Sequence, residues 1–392
     1  MKSLVVWDDN FLAYNLGDHP LDPVRLRLTM ALSRAYNLLE RDGVTVRPPT
    51  APASDAELGR VHREDYIAAV KAAPEDPFFS GYGLNTPDNP VFDDMHEAAA
   101  LVTGGTLEAA RAVWSGEQRR ALNIAGGLHH AMHARASGFC VYNDPAVAIA
   151  DLLERGAERI AYVDIDVHHG DGVQALFYDD PRVLTISLHE TPLSLFPGTG
   201  FPDEIGGPNA EGTSVNVALP TGTDDRNWHR AFDAVVPSLL RAFHPQLLFT
   251  QCGADPHRLD PLANLRLSVD GQRAAYLKLR DLAEQLCEGR WVATGGGGYA
   301  LVEAVPRAWT HLIATITGEP MDPATMVPLE WIDLAAQLCP RRMAMPRMTD
   351  DADLAYEPWS PDSDQSPLDR AVLATRKAVF PLHGLDPYDP RD

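Results

Sequence analysis

The chain has 392 residues, 45% of them hydrophobic, enough to bury one large or two ordinary cores. Its net charge of −22 repels phosphate backbones and argues against nucleic acid as a direct ligand; solubility or attraction of basic substrates remains as its meaning. The four cysteines show no CxxC spacing and exclude a disulfide scaffold, the start MKSLVVWDDN turns acidic too early for a signal peptide, and no apolar run suits a membrane span, so a cytoplasmic protein in a reducing compartment is expected.

In chain order, short apolar and β-branched runs occur at SLVVW (3–7), ALNIAGG (121–127), RIAYVDID (159–166), VLTISLHE (183–190), SVNVALP (214–220), QLLFTQCG (246–253) and WVATGGGG (291–298). Such runs predict strands buried on both faces. Helix-length segments with 3.6-residue periodicity separate most of them, at 91–114, 144–156, 227–243 and 269–289. Strands alternating with helices predict an α/β fold: three layers, α/β/α, around a mainly parallel sheet. Long loops rich in Gly, Pro and aromatics, including DPFFSGYGLNTPDNP (76–90) and the segment 189–212, are expected beyond the strands' carboxyl ends, where parallel sheets bind ligands. The main domain is read as 1–347. Residues 348–392 form an acidic, Pro-rich tail with one short docked helix, 370–380, behind Ser366-Pro367.

Chemistry concentrates at four strand ends. In DIDVHHGDG, strand alternation would put Asp164, Asp166 and His168 on one side, and buried charges that converge need a cation among them. Two carboxylates and an imidazole suit a divalent ion such as Zn²⁺; a charged strand end meeting solvent is the plainer alternative. Asp255, in QCGADPHRLDP, reads in isolation more readily as a helix cap than as a ligand. The adjacent His129 and His130 of GGLHHA are either polar loop residues or, beside a metal, acid/base groups. TGGGGYA lacks the Lys-Ser/Thr of a P-loop and the pattern of a dinucleotide site, so its glycines imply close backbone approach that aims Tyr299 inward.

Together GGLHHA…GFCVYND, YVDIDVHHGDGVQ, TISLHE, FPGTG, GADPHRLDP and GGGGY, in this order, resemble the zinc-dependent histone deacetylase family, in particular its bacterial acetoin-utilisation branch. The likeness runs over roughly residues 10 to 320, and implies the arginase/deacetylase-like fold, with 1–347 as the catalytic domain. It implies hydrolysis of the acetamide of N6-acetyl-lysine in proteins, giving lysine and acetate. The resemblance assigns Zn²⁺ or Fe²⁺ to Asp166, His168 and Asp255. His130 paired with Asp171 becomes the general base, and His129 paired with Asp164 a second imidazole, so Asp164 faces a histidine rather than the metal. Tyr299, on a flexible glycine run, becomes the oxyanion donor. A structural K⁺ is implied on main-chain oxygens around Asp164, Asp166 and His168, with Ser187 and Leu188.

The resemblance further implies that Phe139 and Phe196 wall a tunnel lined by Gly138 and Leu262, that Asp88 grips substrate backbone amides at the rim, and that Tyr14 and Arg25 flank an inner cavity handling acetate. Leu128 stands where some relatives carry tryptophan. The expected partner is an acetylated protein, with no nucleic acid and no membrane; a homo-oligomer is left open. Rival readings are a deacetylase of acetylpolyamines or other small acetylated amines, a two-metal arginase-like hydrolase, which would need more carboxylates where His129 and His130 stand, and an acetyl-lysine binder without turnover, which would need a broken site.

Overall fold

A computed structural model describes residues 2–76, 78–362 and 366–392. Met1, Pro77 of the aromatic-rich loop, and Ser363, Asp364 and Gln365 of the acidic tail lie outside the described residues.

Eight strands form one sheet: β1 (Ser3–Val6), β2 (Val44–Arg47), β3 (Arg120–Asn123), β4 (Ile160–Asp164), β5 (Val183–Glu190), β6 (Ser214–Leu219), β7 (Leu247–Gln251) and β8 (Trp291–Thr294). Their spatial order is β2-β1-β3-β8-β7-β4-β5-β6, and every neighbouring pair is parallel. Seven strands coincide with the apolar runs; β1, β3, β4, β5, β7 and β8 are buried along their whole length, as two-sided coverage requires. The eighth, β2, escaped the sequence reading because VTVR is short, polar in part and half-exposed, the signature of an edge strand. Arg47 at its end pairs with Glu108 and Glu117.

The helices are α1 (Val24–Ala35), α2 (Asp55–Leu58), α3 (Glu64–Ala72), α4 (Met95–Trp114), α5 (Asp144–Glu154), α6 (Asp171–Phe177), α7 (Asp225–Phe243), α8 (Val269–Leu286), α9 (Val305–Ile316), α10 (Leu329–Leu338) and α11 (Pro367–Val379). α4 packs on α5 and on β1 and β3, while α1, α9, α8, α7 and α11 pack in succession, so helices cover the sheet as two layers. Among the described residues no helix is long and apolar enough to cross a membrane.

The four central strands β3, β8, β7 and β4 stop at polar residues, and the row continues into β5 at Ser187. Asn123 is in register with Thr294, Thr294 with Gln251, Gln251 with Asp164, and Asp164 with Ser187. All five are buried, so their polar groups must find partners within the protein.

The tail is continuous with the core, contributing Met348, Trp359, Leu368, Val372, Val379 and Phe380 to the main hydrophobic cluster. Ser366 caps α11 by accepting the Asp369 N–H at 3.1 Å, and α11 packs on the edge strand β6 and on α7. Arg376 pins it: the fully buried guanidinium donates to the carbonyls of Ala234 (2.6 Å), Pro387 (2.9 Å) and Asp389 (2.6 Å), sandwiched against Trp359 and Phe380. Burial lowers its pKa to about 10, still charged at neutral pH. Arg376→Ala orphans these carbonyls and is expected to cost about 1.5–3 kcal/mol, read as an earlier urea midpoint; an unchanged midpoint would mean the tail docks without it.

Candidate active site

The four strand ends that carry the polar motifs belong to β3, β8, β7 and β4, which are neighbours at the centre of the sheet. Their following loops therefore meet. β4 itself ends at Asp164, which corrects the expectation that strand alternation continues to His168. Two tight turns replace it: Asp164 Oδ1 accepts the Asp166 N–H (3.1 Å), and Asp166 Oδ1 accepts the His168 N–H (3.0 Å). The turns aim Asp164 and Asp166 at different partners.

Asp166 and His168 meet Asp255 from the β7 loop. Among the described residues these three form the one group of its kind, with one donor atom each and all donors within 4.8 Å of one another. His168 Nδ1 lies 3.1 Å from Asp166 Oδ1 and 3.0 Å from Asp255 Oδ2. The remaining oxygens are held in place: Asp166 Oδ2 accepts from Gln251 Nε2 (2.7 Å) and the Gly297 N–H (2.8 Å), and Asp255 Oδ1 accepts the Val167 N–H (3.0 Å). Each carboxylate thus presents one oriented oxygen to the common centre, as metal-binding carboxylates do. Burial would lower the pKa of His168, but Asp166 and Asp255 reverse that and raise it, while burial and Asp166 together raise Asp255. The cluster is suited to holding a cation. An NO₂ donor set of this kind suits Zn²⁺ or Fe²⁺ with a position left open.

Beside it stand two imidazole–carboxylate pairs. His129 Nδ1 is 2.7 Å from Asp164 Oδ2, which also accepts the Tyr162 hydroxyl at 2.6 Å; His130 Nδ1 is 2.6 Å from Asp171 Oδ1. Their Nε2 atoms are 3.1 Å apart, so only one carries the hydrogen between them. Against the effect of burial, Asp164 and Asp166 raise His129 to about 9, whereas burial and the neighbouring His129 lower His130 to about 4. The two imidazoles are thus pushed in opposite directions, His129 toward its charged form and His130 toward its neutral one. Adjacent titrating groups in unlike environments are what acid/base chemistry requires.

A channel of about 240 Å³ leads to this cluster, lined by Asp88, His130, Gly138, Phe139, His168, Leu195, Phe196, Leu262 and Tyr299. Asp88 is exposed at its mouth. A smaller inner void of about 20 Å³ continues past His129, Leu128, Cys140, Gly296 and Tyr299. His130 borders both spaces and His129 only the inner one. Phe196 stands edge-on to His130 at 5.0 Å and Phe139 edge-on to Tyr299 at 5.8 Å. Gly138 has φ +50° and a Cβ there would fall 2.4 Å from His130 Cδ2, so the turn that presents Phe139 requires glycine.

Tyr14 and Arg25, expected beside an inner cavity, line neither space. The Tyr14 hydroxyl donates to Phe139 O (2.7 Å) and accepts the Val141 N–H (3.0 Å), bracing the channel wall. Arg25 donates to Gly298 O (3.0 Å) and lies over Trp309 at 5.0 Å, bracing the glycine run. That run is correspondingly pinned rather than flexible: the Gly297 N–H is bound by Asp166, its carbonyl accepts the Ala254 N–H (2.8 Å), and the Tyr299 N–H goes to Asp260 (2.8 Å).

Several supporting residues escaped the sequence reading. Asp260, which burial raises to about 6, holds both Tyr299 and the Leu262 N–H (3.0 Å); in HRLDP it offered only a carboxylate between leucines. Gln251, last in β7, gave no signal at all. Asp144 binds the Gly127 and Leu128 N–H groups, and Asn143 the carbonyls of His129 and Ala131, so the YND of the motif shapes the histidine loop. His62, lowered to about 4 by burial, spans Met132 O and the Asn143 N–H.

The histone deacetylase domain model matches residues 19–316, and the chain belongs to the histone deacetylase family. The chain is 42% identical over 362 residues to the acetoin utilization protein AcuC of Bacillus subtilis (strain 168), covering 91% of this chain and 92% of that protein, and 36% identical over 350 residues to AcuC of Staphylococcus aureus (strain MSSA476), covering 87% and 89%. It is thus a deacetylase of the bacterial acetoin-utilization type. Two solved structures agree in fold, each with a TM-score of 0.81 and 28% identity over 96% of this chain: an HDAC homolog complexed with SAHA, covered to 99%, and an HDAC homolog from Aquifex aeolicus, covered to 100%.

Gly297 gives a direct check. A Cβ there would lie 2.0 Å from Asp255 Oδ2 and 3.0 Å from Asp166 Oδ2, with no unusual backbone angle to complicate the change. Gly297→Ala is expected to retain its circular dichroism yet weaken metal affinity about 10–100-fold, as outer-shell disturbances do; undiminished affinity would show that the carboxylates do not need the space.

Proposed function

We propose that the protein hydrolyses the acetamide of N6-acetyl-lysine in proteins, releasing acetate and the free lysine amine. The observation that carries this is the channel itself: an apolar passage between Phe139 and Phe196 suits a long aliphatic stem, and it ends at His130, His168 and Tyr299. The four cysteines are free, which fits a cytoplasmic setting.

Asp166, His168 and Asp255 would hold Zn²⁺, or Fe²⁺ in the cell. When bound, the ion polarises the amide carbonyl and acidifies a water molecule. Neutral His130 accepts the proton of the attacking water, its ring fixed by Asp171. His129, pushed toward its charged form by Asp164, would place positive charge beside the reacting carbonyl. Burial, Asp255 and Asp166 keep the Tyr299 phenol well above its ordinary pKa, so it remains a donor, directed at the oxyanion. The proton on His130 then passes to the departing amine, leaving acetate. A structural K⁺ is proposed on the main-chain oxygens around Asp164, Asp166 and His168 with Ser187 and Leu188; Asp164 and Ser187 are register partners on adjacent strands, which suits a shared site.

A second reading, deacetylation of acetylpolyamines or other small acetylated amines, draws on the same exposed Asp88, since a carboxylate at the mouth can pair with a distal ammonium as well as accept two backbone N–H groups. Acetate release measured on both substrate classes separates them. With metal content equal, Asp88→Ala is expected to lower kcat/KM at least about tenfold on an acetyl-lysine peptide, some 1.4 kcal/mol, while a short acetylated monoamine changes much less. A loss confined to acetylpolyamines would favour the second reading, and equal losses on all would remove Asp88 from substrate binding. Tyr299→Phe should bind metal normally and lose about 10²–10³ in kcat; near-unchanged turnover would refute its role.

A further inference from the structure

The tail beyond the matched deacetylase domain reaches back to the loop that carries Asp255. Asp350 and His257 have no exposed side-chain surface, and His257 Nε2 lies 2.9 Å from Asp350 Oδ2. His257 Nδ1 accepts the Leu259 N–H at 3.1 Å, so its Nε2 carries the hydrogen and donates to the tail carboxylate. The same Oδ2 accepts the Val269 N–H at the start of α8 (3.0 Å), and Oδ1 is 2.9 Å from Arg307 Nη2 on α9. The backbone is fastened as well: the Asp350 N–H and the Thr349 hydroxyl donate to Asp270 at 2.8 and 2.7 Å, and Arg307 donates to Arg347 O and Thr349 O. On the inner side, His257 O accepts the Asp260 N–H (2.8 Å).

We infer that Asp350 is a positioning residue: through His257 it fixes the 255–260 loop, and with it the metal carboxylate Asp255 and the Tyr299 anchor Asp260. The tail segment around residue 350 is then part of the deacetylase site's support rather than an appendage. The imidazole is the transmitting element, because its ring is held by the tail while its own peptide carbonyl carries Asp260, and Asp255 lies two residues before it. Outer-shell partners of metal ligands typically set affinity by about 10–100-fold, and one link further out the lower end of that range applies.

The inference rests on Asp255 being a metal ligand, and the test separates the two. Full-length wild type, Asp350→Asn, His257→Ala, the double variant and Arg376→Ala are stripped of metal and titrated with Co²⁺, following the ligand-field spectrum, with Tm recorded for each. Wild type should bind one Co²⁺; absence of a tetrahedral or five-coordinate Co²⁺ spectrum would overturn the metal assignment itself. Asp350→Asn should bind Co²⁺ about tenfold more weakly, with lower kcat and unchanged KM on an acetyl-lysine peptide. In the His257→Ala background Asp350→Asn should add no further loss of affinity, because its effect passes through that ring. Arg376→Ala should lower Tm yet bind Co²⁺ as wild type does. Wild-type affinity in Asp350→Asn, or losses that simply add in the double variant, would reduce Asp350 to a stabilising ion pair.

Discussion

Everything at the carboxyl end of this sheet depends on the mutual repulsion of Asp166 and Asp255, two buried aspartates whose inward oxygens both approach His168 Nδ1. Like charges this close in a dry interior persist only with a cation between them. Each aspartate's outward oxygen is tied down by Gln251, Gly297 or Val167, so neither can turn away. The protein group placed to offset that repulsion is His168, whose charged form both carboxylates favour, and an ion held by all three residues would offset it more strongly, which ties the fold to metal chemistry.

The surrounding glycines follow from the same crowding. A Cβ on Gly253 would reach 2.1 Å from Asp166 Oδ2, and one on Gly297 2.0 Å from Asp255 Oδ2. The backbone itself forms the wall behind the carboxylates. Because Gly297 and Tyr299 are bound by Asp166 and Asp260, the tyrosine is delivered by a rigid strap, which favours an oxyanion donor that needs no reorganisation during reaction.

Much of this was legible in the sequence because strand ends with polar residues are conspicuous after apolar runs. Asp166, His168, the histidine pair and Tyr299 were all readable as strand-end chemistry, and the motif order carried the family. What could not be read is lateral order: nothing in the chain says that β3, β8, β7 and β4 are neighbours, and that adjacency turns Asp255 from a loop aspartate into a member of the cluster. Alternation misled at Asp164, where the strand stops and local side-chain turns take over. Gln251, Asp260 and His257 were silent because their partners lie far away in sequence, and β2 was missed because an edge strand needs little apolar surface. Tyr14 and Arg25 lie behind the walls of the site, where the Tyr14 hydroxyl and the Arg25 Nη1 donate to backbone carbonyls.

The most direct measurement is anomalous diffraction at the zinc absorption edge from crystals of the Zn²⁺-loaded protein. A single ion should appear bonded to Asp166, His168 through Nδ1 and Asp255, at about 2.0–2.2 Å, with a position open toward His130. An ion bound elsewhere, a second ion engaging Asp164, or a ligand set lacking Asp255 would contradict the assignment.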